Sequence, residues 1–347
     1  MDNFEEYLRQ GEPNKAEKAK VWKTAIGLQQ VDGLKPSDFL IATAKQNIEG
    51  EITLDEVKQR IDTYYKQHPT QTNEVRTEEA DKVSARIAEI LSEQTFTFSP
   101  AEYIGIHRRL FHDIYKIAGK IRDYNITKQE WVLNGETVLY GSAESLKATL
   151  EYDFEQEKKF NYKGLSQQEV IEHISLFISY LWQIHIFGEG NTRTTAVFLI
   201  KYLRTFGFNV NNELFAEHSW YFRNALVRAN YKNYTRNIHA TNEFLLRFFE
   251  NLLLGENHSL KNREMHIHYN EPKNDPVNAK DDLVNDPVKG NIMQQLKQNP
   301  KANYSELANK TGYSIATIKR HIQELKKKGI IERIGSDKTG YWNIINP

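Results

Sequence analysis

Nine residues, His185 through Arg193, bring an imidazole, a carboxylate, two glycines, an amide and a guanidinium together between two strongly helical segments. Gly188 and Gly190 allow positive φ and a close approach of backbone to a ligand. Asn191 stands just before a helix start, where free N–H groups and the positive dipole end favour an anion. Arg193 adds a fork suited to bidentate phosphate binding. Glu189 is a hard oxygen ligand for Mg²⁺, which takes one or two carboxylates plus phosphate oxygens. His185 titrates in the range of a general base near neutral pH. Together these groups describe phosphoryl or nucleotidyl transfer. On the residues alone two other readings stay open. One is an interhelical loop with a satisfied core histidine. The other is a metal hydrolase using His173, His185 and Glu189, although its usual His-Glu-x-x-His spacing is absent.

The elements that must hold this loop are legible on either side. Ser166-x-x-Glu169 forms a capping box, and Val170, Ile174, Phe177, Ile178 and Leu181 make an apolar helix face leading into the loop. The helix after it spans about 194–203. Earlier, Trp131 to Tyr140 places two β-prone runs around Asn134-Gly135, which predicts a hairpin closed by a type I′ turn. Near the N-terminus, Asn14-x-x-Glu17 resembles another capping box. Val21, Ala25, Leu28 and Asp32 then align on one helical stripe, which Gly33 and Pro36 end. Asp32 is badly placed there, because a helix C-terminus favours cations.

Length and composition bound the rest. A chain of 347 residues, 39% hydrophobic and 27% charged, suggests two or three soluble domains. No apolar run approaches a membrane span and no signal peptide stands at Met1. Zero cysteines exclude disulfides and thiolate metal sites and fit a cytoplasmic location. The net charge of zero hides an asymmetry. Pro287 to Pro347 hold 11 Lys+Arg against 4 Asp+Glu, so this piece carries +7 and the remainder −7. Polar stretches at His68–Glu74 and about 257–285 serve as linkers. The expected division is a helical region 1–67, a central domain 75–256, a linker 257–285 and a basic domain 286–347. The last reads as a winged helix-turn-helix. Its helices lie near 291–297 and 304–311, with a turn at Gly312-Tyr313. Ser314 caps a third helix whose Ile315, Ile318, Ile322 and Leu325 face inward, and a wing spans 330–342. Lys319, Arg320 and, in the wing, Lys338 are the expected DNA contacts. A protein-binding winged helix is the alternative.

His185 to Arg193 resembles the Fic-domain signature HxFx(D/E)GNxR of enzymes that transfer AMP from ATP to a protein hydroxyl. Leu110-Phe111-x-x-Ile114-Tyr115-x-x-Ala118-Gly119-Lys120-Ile121-Arg122 is similar to the segment preceding the hairpin in that family, and the likeness covers roughly Thr77 to Leu254. It implies a mainly α fold, a helical core with a β-hairpin flap. It also implies that His185 activates a Ser, Thr or Tyr hydroxyl of a target protein and that Glu189 holds Mg²⁺. Gly188, Gly190, Asn191, Thr192 and Arg193 would cradle the ATP phosphates, with Phe187 anchoring the loop. Glu136, Thr137, Val138, Leu139 and Tyr140 would hold the target by strand addition, and Tyr221 and Asn224 would border the adenine. Two positions depart from the pattern. Ile186 replaces a proline, and Ala196 stands where a second arginine often contacts the γ-phosphate, which opens the nucleotide preference. Residues 1 to about 65 resemble the small antitoxin that binds some Fic toxins through an inhibitory helix bearing an acid followed by Gly. Asp32 is the matching acid, with Leu28 in place of the usual hydroxyl residue; Glu49 is a second candidate. Either Asp32 pairs with Arg193 or inhibition is weak. The leading expectation is a self-inhibited protein adenylyltransferase; the alternatives are a nucleotide-sensing transcription regulator and a Fic enzyme using another nucleotide. Target and oligomeric state, including a homo-oligomer, stay open.

Overall fold

A computed structural model describes residues 4–10, 12–68, 75–208, 210, 213–268, 287–311, 313, 315–327, 330–334 and 340–345. The chain forms two compact units, Met1–Lys261 and Asn262–Pro347. Helices α1 (Glu5–Gln10), α2 (Pro13–Gly27), α3 (Asp38–Glu49), α4 (Leu54–Gln67), α5 (Val75–Ser92) and α6 (Pro100–Phe111) belong to the first unit. So do α7 (Leu146–Lys159), α8 (Gln167–Ile184), α9 (Asn191–Thr205), α10 (Glu213–Asn230) and α11 (Glu243–Leu253). No described helix is long and apolar enough to cross a membrane.

Helix α9 is the axis of this unit, because every residue from Asn191 to Leu203 is buried. A helix without a wet face must satisfy its polar groups internally. Lys201 Nζ donates to the carbonyls of Ile90 and Glu93 at the C-terminal end of α5, where a cation is favoured. Thr195 Oγ1 meets Tyr103 OH at 2.9 Å. Helix α8 begins with the Ser166–Glu169 capping box, both arms formed. Its apolar face packs Ile174, Ile178 and Leu181 fully inside.

The N-terminal segment departs from the sequence reading. Pro13 opens α2 at its first position and Glu12 is the N-cap without a side-chain bond, so the Asn14–Glu17 box is not formed. The helix does not run to Asp32. It ends at Gly27 and tightens into a 3₁₀ turn, Leu28–Asp32, closed by Gly33 at φ 68°. Gly27 marks the close approach: a Cβ there would stand 2.3 Å from Ala216 Cα in α10. Tighter winding changes the phase, so Val31 enters the core while the Asp32 side chain stays 29% exposed. Helix α5 is the platform beneath this region. Its buried Asp81 accepts Ser37 N at 2.8 Å and Tyr65 OH at 2.7 Å, tying α3 and α4 down.

The expected hairpin at 131–140 is half right. Asn134 (φ 53°) and Gly135 (φ 85°) do form the predicted type I′ turn, closed by Glu136 N to Leu133 O at 3.1 Å. No β-ladder follows. Trp131–Leu133 take a 3₁₀ turn, which lets consecutive Val132 and Leu133 both reach 0% exposure. A strand would have sent one of them to solvent.

The second unit holds α12 (Pro287–Gln298), α13 (Tyr304–Thr311) and α14 (Ile315–Lys327). An antiparallel pair, β1 (Ile331–Ile334) and β2 (Tyr341–Ile344), joins Ile331 to Ile344 and Ile334 to Tyr341. Ile292, Leu296, Leu307, Ile318, Ile322, Leu325 and Trp342 form its core. Ile315 is not part of that core. It is 44% exposed, because it sits on the opening turn at the edge of the inward arc. Gly312, Ser314 and Lys338 lie outside the described residues.

Candidate active site

Helix α8 ends at His185, which takes the left-handed conformation (φ 49°, ψ 53°). That is an unfavourable backbone for a non-glycine residue and is held by its surroundings. Arg122, buried beside it, supplies the hold. Its Nε donates to His185 O at 2.7 Å, its Nη2 to the carbonyls of Ile184 and Gly141, and its Nη1 to Tyr124 O. Its own backbone N donates to Ile186 O at 3.0 Å. The imidazole is 4% exposed and lies 4.3 Å from the Tyr140 ring. His185 Nδ1 sits 3.3 Å from Trp182 O. A carbonyl can only accept, so Nδ1 carries the hydrogen and Nε2 keeps its lone pair. Burial, then the charges of Lys128, Arg223 and Arg122, hold this histidine well below its usual range, against the Trp182 carbonyl. It is therefore a neutral base at neutral pH.

The loop beyond it is pinned by its own side chains. Phe187 is fully buried and stacks on the His107 ring at 3.7 Å. His107 Nδ1 accepts Gly119 N at 2.8 Å, so its Nε2 donates to Glu189 O at 3.0 Å. Asn191 Oδ1 accepts Phe187 N at 3.0 Å and its Nδ2 donates to Phe187 O at 2.8 Å. The amide thus shapes the loop instead of pointing out of it. Thr192 Oγ1 accepts from Trp182 Nε1 at 3.0 Å. Packing requires a glycine at Gly190, where a Cβ would stand 2.4 Å from the fully buried Phe111 ring; at Gly188 a Cβ would meet only the tip of half-exposed Tyr124, 2.5 Å from its OH. Gly190 at φ 75° also caps α9, whose first-turn N–H groups have no acceptor within the helix.

Arg193 is 1% exposed, and the N-terminal region fills much of its fork. Asp32 Oδ2 lies 2.8 Å from its Nε. The N–H is not aligned along that contact, which is therefore Coulombic more than a formed hydrogen bond. Gln29 Oε1 accepts from Nη1 at 3.0 Å and Glu79 Oε1 from Nη2 at 2.6 Å. Side chains three apart eclipse in a 3₁₀ helix, so Gln29 and Asp32 reach the same guanidinium. Burial opposes the charge, but Asp32, Tyr115 and Glu79 outweigh it and hold the arginine protonated. Glu49 instead meets Lys15 at 2.7 Å.

The Glu189 side chain is 58% exposed and its Oε2 lies 3.2 Å from Lys128 Nζ. A single solvent-facing carboxylate fits Mg²⁺ held jointly with phosphate oxygens. It does not fit a self-sufficient metal site, and no cluster of three ligating side chains occurs among the described residues. His173 bonds Glu157 at 2.7 Å and stacks on Phe160, so it does not join His185 and Glu189 as the hydrolase reading requires.

Around the 131–140 segment, Val138 and Tyr140 point inward while Leu139 is 83% exposed. Thr137 Oγ1 accepts Lys128 N, and Glu136 is engaged by Tyr231 and Arg236. Tyr140 OH donates to fully buried Glu130 at 3.0 Å, and Arg223 forks onto the same carboxylate. Tyr221 and Asn224 lie on the buried face of α10, with Tyr221 stacked on Phe248. In the second unit, exposed Lys319 lies over the Tyr304 ring at 5.7 Å and Arg320 is exposed beside His321. Sequence reasoning missed Gln29, Glu79, Arg122, Lys128, Glu130 and Arg223. Arg122 carried a signal as the end of the segment quoted above; Gln29 needed the 3₁₀ phase, and the others only the fold.

Residues 97–203 match the Fic/DOC family and residues 285–332 match the winged helix-turn-helix DNA-binding family. Protein adenylyltransferase VbhT of Bartonella schoenbuchensis is 29% identical over 106 residues, 30% of this chain and 21% of that protein. The match thus spans about a fifth of that relative. The N-terminal Fic domain of Bep8, a VirB-translocated effector of Bartonella sp. 1-1C, aligns at 19% identity with a TM-score of 0.42. It covers 54% of this chain and 88% of that one. A Fic family protein from Desulfovibrio desulfuricans G20 aligns at 12% identity with a TM-score of 0.42, covering 100% and 93%.

Proposed function

From a chain that carries a Fic domain and, further along, a winged helix-turn-helix, we propose a Fic-type protein adenylyltransferase restrained by its own N-terminal segment. The observation that carries this reading is His185. It is a buried, neutral imidazole whose proton sits on Nδ1, leaving Nε2 as the basic nitrogen, next to the loop that leads into α9. His185 Nε2 takes the proton of a target Ser, Thr or Tyr hydroxyl as that oxygen attacks the α-phosphorus of ATP, and pyrophosphate leaves. First-turn N–H groups of α9 stabilise the charge on the α-phosphate. Glu189 would hold Mg²⁺, which when bound neutralises phosphate charge. The segment around exposed Leu139, whose carbonyl accepts from Gln183 Nε2 at 3.0 Å, would hold the target.

Asp32 and Gln29 occupy Arg193, which is the restraint. The second unit, with Lys319 and Arg320 exposed, would hold DNA through phosphate contacts. The test offers α-labelled ATP, GTP, CTP and UTP with Mg²⁺ to wild type, Asp32→Ala and His185→Ala. Label from ATP, stronger in Asp32→Ala and absent in His185→Ala, supports the reading. Label from another nucleotide alone would sink the AMP assignment. No label in any variant, with DNA binding intact, would favour a nucleotide-sensing regulator.

A further inference from the structure

Arg193 has two sets of partners of different origin. Gln29 and Asp32 come from the 3₁₀ turn that the proposed restraint would withdraw. Glu79, Tyr115 and Phe111 come from elements that stay. Glu79 Oε1 accepts from Arg193 Nη2 at 2.6 Å and from Tyr115 OH at 2.6 Å. The Phe111 ring lies 4.8 Å under the guanidinium. Glu79 is 11% exposed, so its charge is poorly screened. Withdrawal of Asp32 therefore leaves a neutral Arg193–Glu79 pair, not a bare cation.

Three nearby cations are committed: Arg223 forks onto Glu130, Lys128 meets Glu189, and Arg122 spends its donors on backbone carbonyls. Arg76 donates to Asp32 O at 2.9 Å from an exposed position, where solvent screens its charge. Ala196, one turn along α9 and fully buried, adds no charge. We infer that Glu79 is a standing counter-charge of Arg193 that sets how much distal phosphate charge the site accepts. It acts against a triphosphate tail and leaves a monophosphate indifferent. The same carboxylate fixes the orientation of the arginine through Tyr115, which makes it a specificity-determining and positioning residue.

The inference rests on the proposed reading that Arg193 meets distal phosphates once the 3₁₀ turn withdraws. Calorimetric affinities for ATP and AMP, with Mg²⁺, are measured in Asp32→Ala and in Asp32→Ala with Glu79→Gln. Glu79→Gln keeps an acceptor for Tyr115 and removes the charge. The ratio of ATP to AMP affinity should rise about tenfold, equivalent to one freed charge-assisted hydrogen bond. A purely structural role would weaken both ligands together and leave the ratio unchanged, which overturns the inference alone. Should Glu79→Gln not fold, Glu79→Asp draws the carboxylate back by one methylene and must raise the same ratio by a smaller factor; an unchanged ratio there is equally fatal. If Asp32→Ala binds neither nucleotide, the reading and the inference fall together.

Discussion

Asp32→Ala is the perturbation that bears most directly on the proposed restraint. The Asp32 carboxylate lies 2.8 Å from a guanidinium that is 1% exposed, while its own side chain is 29% exposed. A surface ion pair contributes roughly 0–1 kcal/mol, and burial of the guanidinium lifts this misaligned, partly screened contact to about 1.5–2 kcal/mol. Glu79 continues to neutralise Arg193, so the substitution strands no buried charge. A weakening of about 1.5–2 kcal/mol follows, which is roughly a 10- to 30-fold shift toward the withdrawn state. Nucleotide affinity measured by calorimetry should rise by that factor if, as proposed, only a withdrawn state exposes the arginine. Glu49→Ala is the matched control, because Glu49 pairs with Lys15 and should leave affinity unchanged. If Asp32→Ala and Glu49→Ala bind nucleotide alike and both match wild type, the argument for Asp32 as the restraining group is refuted.

Other outcomes follow from neighbouring geometry. Gly27→Ala should push α2 off Ala216, destabilising the fold by an overpacking cost of about 1–3 kcal/mol, read as a lower melting temperature, while raising nucleotide affinity; a stable variant with unchanged affinity would separate α2 docking from the proposed restraint. Burial holds His107 down to about 4 from its ordinary 6.5. The unfolded chain therefore takes up this proton first, and stability is lost as pH falls from 6.5 toward 4, by roughly 3 kcal/mol at most. Urea unfolding of His107→Gln at pH 7.5 and 4.5 should show a weaker pH dependence than wild type. Lys319→Ala and Arg320→Ala should each lower affinity for duplex DNA and reduce the salt slope by about one, read by anisotropy across a salt series; an unchanged slope would remove that residue from the phosphate contacts.

The loop and the elements that flank it were legible because their parts are local. His185, Glu189, Gly190 and Arg193 fall within nine residues, and the Ser166 box and the Asn134-Gly135 turn depend on neighbours at fixed offsets. Helix α9 was legible too, although its start lies at Asn191 and not Thr194. The hairpin reading failed where burial of consecutive Val132 and Leu133 overrode β-propensity.

Sequence by itself determined which groups could do chemistry, since residue type is set along the chain; it marked Asp32 as a conspicuous acid but gave it an α-helical phase that the 3₁₀ turn replaced. Only the tertiary structure decided who meets whom. The 3₁₀ winding that pairs Gln29 with Asp32, the Glu79 carboxylate 114 positions from Arg193, and the Arg122 staple on His185 all depend on packing between distant elements. No local pattern encodes such contacts, because they form where separate helices bury their faces against each other. The arginine that looked free to grip phosphate is, in the folded chain, already held.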